Sequence, residues 1–344
     1  VRFTNAGQTY PEMSSYDRLI LDEYVRYVGD EVALVGATNE KAAQQALKLI
    51  KVDYEVLTPV LDYKTAMDNP VIVHNYEDYF NHYDFQGEDN KRNIVVNGVS
   101  ENGDVDAEFA RCDVIVDQEY EIQAQEQCMM ETFRTYTYLD HNSRLCVVSS
   151  TQVPFHVRRI LSRALQIPQT RIRVIKPRIG GGFGAKQTVV SDFYPAIVTL
   201  KTGRPAKMIY TRKEAFMASN SRHQMSTRAK VGADADGSIR AIELTTLSNQ
   251  GAYGEHGTTT IGLSGHKSIP LYNQAKAFRF NYTGVYTNTM PAAAFRGYGA
   301  TQGLFALESA VNELAIKLHM DPTVLREKNM VRFGELMPAY YNEP

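Results

Sequence analysis

Hydrophobic positions in residues 31–57, "EVALVGATNEKAAQQALKLIKVDYEVL", fall first in a run, then at helical spacing, then in alternation. The run Val32–Val35 predicts a short strand, and Ala42, Ala46, Leu47 and Ile50 share one helical face behind a cap at Thr38 or Asn39. Val52, Tyr54 and Val56 return to period two and predict a second strand. From about Asp68 to Glu108 the pattern lapses into Asn, Asp, His and Tyr. That stretch offers too little apolar surface for a core and is expected to be a long connection.

After Ala110 the pattern sharpens. "DVIVDQEYEIQ", "RLCVVSSTQ" and "TRIRVIKPRI" predict strands, the last leading directly into three glycines, and "VPFHVRRILSRALQI" predicts an amphipathic helix. Residues 225–253 predict a hairpin turning at "DADG". "GLFALESAVNELAIKLHM" is a strongly periodic helix, and Asp321 followed by Pro322 is a good start for another. The mixture predicts an α+β chain of at least two domains.

Composition narrows the classes. With 344 residues, 43% hydrophobic and 22% charged, the chain reads as an ordinary globular protein. A formal charge of −2 gives no electrostatic case for nucleic acid, and no apolar run approaches the ~18 residues of a membrane span. Val1 opens the chain without a signal-peptide pattern, so earlier residues are expected to be missing and a cytoplasmic location is the default. The three cysteines, Cys112, Cys128 and Cys146, show no CxxC spacing, which argues against an iron–sulfur cluster held by this chain or a disulfide framework.

The glycine run "RIGGGFGAKQ" raises the chemical question. A P-loop needs Gly where Ala185 stands and Ser or Thr where Gln187 stands, so that reading fails twice. Gly180, Gly182 and Ala185 satisfy a dinucleotide pattern, but the next strand, "AKMIYTRKE", brings its first acid, Glu214, too late to hold a ribose. The remaining readings are a bare turn, or backbone opened so that a bulky ligand meets its N–H groups. Two further segments bear on the choice. "PAAAFRGYGATQG" sets one Arg between Phe295 and Tyr298 in a second glycine-rich turn, suited to an anionic or carbonyl-rich ligand. "QAQEQCMMET" carries Gln123, Gln125, Gln127, Glu126 and Glu131 in a β-like stretch, where half-buried polar groups need partners.

In this order, "QEQCMMET", "GGGFGAKQ" and "AFRGYGATQG" resemble the "QEHxxxET", "GGGFGGKE" and "AFRGFGGPQG" segments of the molybdenum-binding subunit of the xanthine oxidase family. The resemblance extends from about Asp22 through the terminal helices, and in extent it is most similar to the large molybdopterin subunit of a split nicotinate dehydrogenase. It implies a truncated, hammerhead-like N-terminal α+β domain over residues 1–67, a connection over 68–108, and the first half of a molybdopterin-binding domain over 109–344. It also implies a molybdenum–molybdopterin cytosine dinucleotide cofactor, its metal carrying oxo and sulfido or selenido ligands. By the family pattern Gln125, Gly182, Phe183 and Gly184 line the metal centre, and Phe295, Arg296 and Gly297 hold the pterin, with Gln125, Phe183 and Arg296 outside the direct ligand set. Tyr298 stands where the family has a Phe that stacks on an aromatic substrate, and Gln187 where xanthine-oxidising relatives have Glu.

The chain also departs from that pattern. "TTTIGLSGHKSIP" lacks the substrate-contacting Arg of those relatives, leaving His266 and Lys267 as the nearest cations, each with a plain surface or packing explanation. Losing that Arg and a carboxylate changes hydrogen-bond complementarity and disfavours xanthine itself. The "GVGE" segment that supplies the family's base is absent, so no catalytic residue is expected in this chain and the base Glu is expected on a partner. Either the gene is split or the chain is a fragment; on the split reading the resemblance implies a heteromer with a C-terminal-half molybdopterin subunit, an FAD subunit and a 2Fe-2S iron–sulfur subunit. Its reaction would be hydroxylation of a small aromatic N-heterocycle by water, nicotinate first and a purine second. A non-catalytic scaffold and an NAD-dependent dehydrogenase are the rival readings.

Overall fold

Segments that bury one apolar face pair into two sheets, and the chain passes twice between them. The computed structural model describes residues 1–6, 13–77 and 87–340. The first sheet holds β1 (Ile94–Asn102), β2 (Val114–Ile122), β7 (Met225–Ala233), β8 (Ile239–Gly251) and β9 (Ala277–Tyr286), in the spatial order β1-β9-β8-β7-β2. Only the β8–β9 pair is parallel; it needs a crossover, supplied by helix α6 (Gly257–His266). The second sheet holds β3 (Arg134–Leu139), β4 (Leu145–Ser149), β5 (Ile172–Ile175) and β6 (Ala206–Ile209), in the order β5-β4-β3-β6.

Each sheet is covered by helices. Helix α7 (Ala300–Lys317) buries Ala306, Leu307, Ala310, Val311 and Leu314 against Val231, Ile242, Leu244 and Phe280 of the first sheet. Helices α3 (Pro154–Leu165) and α4 (Phe193–Thr202) cover the second, packing Val157, Ile160, Leu161 and Phe193 on Leu145 and Val147. The hairpin expected at "DADG" is the β7–β8 turn, with Gly237 at φ +83°. Asp321 caps α8 (Pro322–Asn329) through the Thr323 N–H, with Pro322 at its first position. The α+β expectation holds.

Five expectations are corrected. The connection proposed for 68–108 contains β1 and α2 (Val105–Phe109), because Ile94, Val95 and Val96 are buried at the sheet edge while the rest of β1 faces solvent; residues 78–86 of that stretch lie outside the described residues. Helix α1 (Glu40–Leu47) forms, capped by Asn39, but Val32–Val35 and Val52–Val56 are not strands. Alternation alone makes no strand where no described strand lies alongside to take its hydrogen bonds, and Val52, Tyr54 and Val56 are all exposed. The stretch 123–131 is irregular, and β5 ends at Ile175, before the glycines begin.

The N-terminal segment docks through buried charge. Arg18 pairs with Asp30 and Glu31 and lies 3.6 Å from Glu255, and the Asp17 carboxylate accepts the Gly254 N–H (2.6 Å) and the Tyr286 hydroxyl (3.0 Å). Burial pushes Asp17 up to about 6 and Glu255 up to about 8.

Candidate functional site

The two passages between the sheets run side by side. Residues 123–131 lead from β2 to β3, and residues 218–224 lead back from α5 (Arg212–Met217) to β7. The Arg222 N–H donates to the Gln125 carbonyl (2.8 Å), and Gln127 Nε2 donates to Asn220 Oδ1 (3.0 Å) and to the Ala294 carbonyl (2.9 Å). The glycine loop and the 294–299 turn meet at this crossing. The Arg296 N–H donates to the Phe183 carbonyl (2.9 Å), so the second and third motifs are joined through backbone.

Glu131 and Gln152 hold the glycine loop. Glu131 Oε2 accepts the Gly180 N–H and the Lys186 ammonium (3.1 Å), and Gln152 Oε1 accepts the Gly184 N–H (2.9 Å). Lys186 is 0% exposed, so its charge depends on that carboxylate. The glycines are needed for close approach. A Cβ on Gly182 would lie 2.4 Å from Gln152 Oε1, and one on Gly184, whose φ is +106°, would lie 2.5 Å from the Ala294 carbonyl oxygen. Phe183, at φ +50°, is pushed outward and is 48% exposed.

Arg222, a residue the sequence reading passed over, ties the crossing together. Its Nη1 donates to Thr301 Oγ1 (2.8 Å) and Gln302 Oε1 (3.1 Å), its Nη2 donates to the Arg296 carbonyl (2.9 Å), and its guanidinium lies over the Phe295 ring at 4.2 Å. Only "SRH" in a polar loop marks it in the sequence, a signal no different from a solvated arginine. Burial lowers its pKa with no carboxylate to oppose the shift.

Gln125, Phe183 and Arg296 are therefore linked in one hydrogen-bonded chain through Arg222. Gln125, Arg296 and Gly297 are exposed, and Phe295 is half-buried. The Arg296 guanidinium has no hydrogen bond or ion pair among the described residues, which leaves it for a ligand. Gln127 Oε1, Gln302 Nε2 and Glu126 Oε1 are buried without partners, and burial pushes Glu126 up to about 8 against the pull of Arg212. Tyr298 turns its hydroxyl inward to His256 Nδ1 (2.7 Å). Gln187 donates its N–H to the Gly184 carbonyl (2.9 Å). His266 packs on Phe280 and Tyr282, and Lys267 bonds the Tyr340 hydroxyl, so neither joins the site.

Bare backbone, an unpaired guanidinium and orphaned amides fit a polar, anionic, multidentate cofactor. Among the described residues no three His, Cys, Asp or Glu side chains converge on a metal-ligating point, so a metal here would arrive on its cofactor. A separate cleft of ≈ 390 Å³, lined by Arg144, Phe155, Arg158, Arg173 and Lys176 among others, contains none of these residues.

Residues 86–330 match the model of the molybdopterin cofactor-binding domain, and residues 3–58 match the a/b hammerhead domain of aldehyde oxidase and xanthine dehydrogenase. The chain belongs to the molybdopterin-binding, xanthine oxidase family. It is 37% identical over 97% of its length to the probable hypoxanthine oxidase XdhD of Escherichia coli (strain K12), and covers 37% of that protein. It is 31% identical over 92% of its length to the nicotinate dehydrogenase large molybdopterin subunit of Eubacterium barkeri, and covers 71% of it. Of solved structures, the aldehyde oxidoreductase of Desulfovibrio gigas superposes with TM-score 0.87 at 28% identity, over 98% of this chain and 36% of that one. Quinoline 2-oxidoreductase from Pseudomonas putida 86 gives 0.77 at 25% identity, over 91% of this chain and 39% of that one. The chain thus spans well under half of several relatives and most of one.

Proposed function

We propose that this chain is the molybdopterin-binding subunit of a molybdenum hydroxylase that hydroxylates a small aromatic N-heterocycle, nicotinate in the first instance. The observation that carries the reading is the joining of the glycine loop to the Phe295–Gly297 turn by the Arg296–Phe183 backbone bond, with the Arg296 side chain left free. Gly182, Phe183 and Gly184 would face the molybdenum end of the cofactor, Gln125 would donate to it from the crossing, and Phe295, Arg296 and Gly297 would hold the pterin. When bound, the cofactor supplies the oxygen-transfer and redox chemistry. This chain's own residues bind and orient it and shape the adjoining substrate surface at Tyr298 and Gln187. On the split-subunit reading, the base Glu would come from a partner chain.

The cytosine dinucleotide form of the cofactor, and FAD and 2Fe-2S centres on further chains, belong to the same proposal. So does the division at residues 67 and 109, although β1 extends the second unit towards the N-terminus. Exposed Leu47, Leu49, Val52, Tyr54, Val56 and Leu57 leave apolar side chains for a further unit to cover. No helix among the described residues is long and apolar enough to cross a membrane. A purine substrate is the second reading, favoured by the identity to the probable hypoxanthine oxidase. The test is metal analysis of the native complex together with turnover of nicotinate and hypoxanthine. Molybdenum with oxidation of nicotinate supports the first reading, hypoxanthine oxidation alone supports the second, and a complex without molybdenum refutes both.

A further inference from the structure

The two substrate positions, Tyr298 and Gln187, lie on different segments, and one buried residue reaches both. His256, immediately before α6, is 1% exposed. Its Nδ1 lies 2.7 Å from the Tyr298 hydroxyl, and the rings meet edge to face with centroids 5.7 Å apart and planes at 82°. The same imidazole meets the Gln187 backbone, and Thr259 and Thr260 of α6 flank the phenol oxygen. Tyr298 sits at φ +46° between Gly297 and Gly299, both at +92°. A Cβ on Gly299 would lie 2.0 Å from the Thr260 carbonyl oxygen, so the turn is pressed onto α6. Burial lowers His256 to about 3, which keeps the imidazole neutral at physiological pH.

We propose that His256 is a specificity-determining positioning residue: it fixes the Tyr298 ring and keeps the phenol hydroxyl turned away from the ligand. The substrate then meets an aromatic surface that behaves as a phenylalanine of locked orientation. Such a surface favours flat aromatic rings, whose offset or edge contacts depend on angle, over flexible or aliphatic substrates. This deepens the hydroxylase reading above and rests on it.

The experiment is a double-mutant cycle on the native complex, with nicotinate and hypoxanthine titrated calorimetrically beside KM and kcat, and molybdenum measured in every preparation. His256→Leu is expected to weaken binding of the accepted heterocycle about three- to tenfold, the worth of one oriented aromatic contact. Its kcat should change less than about twofold, His256→Gln should restore most of the affinity, and His256→Leu should have little effect in a Tyr298→Phe background. Equal loss in both backgrounds overturns the proposal, because His256 would then act on the fold and not through Tyr298. If His256→Leu does not fold, Tyr298→Phe decides alone. It removes the bond that fixes the ring, so affinity should fall about three- to tenfold as in His256→Leu, and affinity within about twofold of wild type would refute the proposal. A molybdenum-containing wild type that binds neither heterocycle overturns the substrate reading and this inference with it. Binding with an additive cycle overturns this inference alone.

Discussion

Glu131→Gln removes the charge that holds the glycine loop while keeping the side chain's size. The Glu131 carboxylate accepts the Gly180 N–H and pairs with Lys186, which is 0% exposed, while Glu131 itself keeps 19% exposure. Breaking a buried pair from one side costs about 3–5 kcal/mol, because the remaining charge stays buried without compensation. The residual exposure of Glu131 puts this case at the low end, about 3 kcal/mol. At about 2.1 cal/mol/K of unfolding entropy per residue, or about 1.4 °C per kcal/mol for 344 residues, the melting temperature should fall by about 4 °C.

Lys186→Met should be far milder, about 1 kcal/mol or less. It removes the buried charge itself and leaves Glu131 bonded to Gly180 and paired with Arg134 at 3.3 Å. The two variants also differ in pH dependence. Burial already lowers Lys186 from its usual 10.5, and Glu131 opposes that shift. Without Glu131 the lysine falls further, so below pH 10.5 the unfolded chain binds more protons than the folded one, and stability rises with pH. Raising the pH from 7 towards 10 should therefore recover part of the Glu131→Gln loss. Thermal unfolding followed by circular dichroism measures all three quantities. A Lys186→Met variant as unstable as Glu131→Gln, or a Glu131→Gln deficit that grows with pH, would refute the argument.

Three further outcomes are expected. Gly184→Ala should cut molybdenum content at least about tenfold by forcing the two loops apart, while Gly203→Ala, which shares the left-handed φ (+70°) but meets nothing within 4 Å, should cost only about 1 kcal/mol and leave the metal in place; metal analysis of both variants checks the contrast. Arg222→Lys keeps the charge but loses the fork that reaches Thr301, Gln302 and the Arg296 carbonyl, so molybdenum should fall by more than half; full occupancy would show that the clamp is dispensable. Glu255, raised by burial from 4.5 to about 8, stays protonated in the fold where the unfolded chain has released its proton, so its contribution is present below about pH 4.5 and lost as pH rises through about 8. The wild-type melting temperature should drop more steeply from pH 5 to pH 8 than that of Glu255→Gln, and parallel slopes would contradict this.

What the sequence made legible were features set by local physics. The α7 periodicity, the Asp321–Pro322 helix start and the left-handed Gly237 in the β7–β8 turn each follow from a few neighbouring residues. What it hid depends on partners far along the chain. β1 buries only its first three residues at a sheet edge, so its composition reads as a loop. Residues 52–56 have the alternation of a strand but no strand beside them among the described residues. Arg222 and His256 carry no periodic signal at all. Their importance comes from where two passages between sheets and the start of α6 fall in space.

The same contrast explains which departures from the family pattern the fold absorbs. Ala185 replaces a glycine of the motif, and its methyl is fully buried in a cluster with Met129, Phe133 and Val190, where added apolar volume finds contacts. One residue earlier, Gly184 faces the Ala294 carbonyl across the joint between the two loops, and no side chain fits. The motif is therefore not a run of equivalent glycines. The positions that face the joint are fixed by backbone contact, while the one that faces the core accepts a methyl group. Tyr298 is a third case: the hydroxyl it adds at the proposed substrate position has His256 behind it to share a hydrogen bond. Without that histidine the hydroxyl would have only Thr259 and Thr260 of α6 beside it and would be freer to turn outward, which would alter what the proposed site accepts.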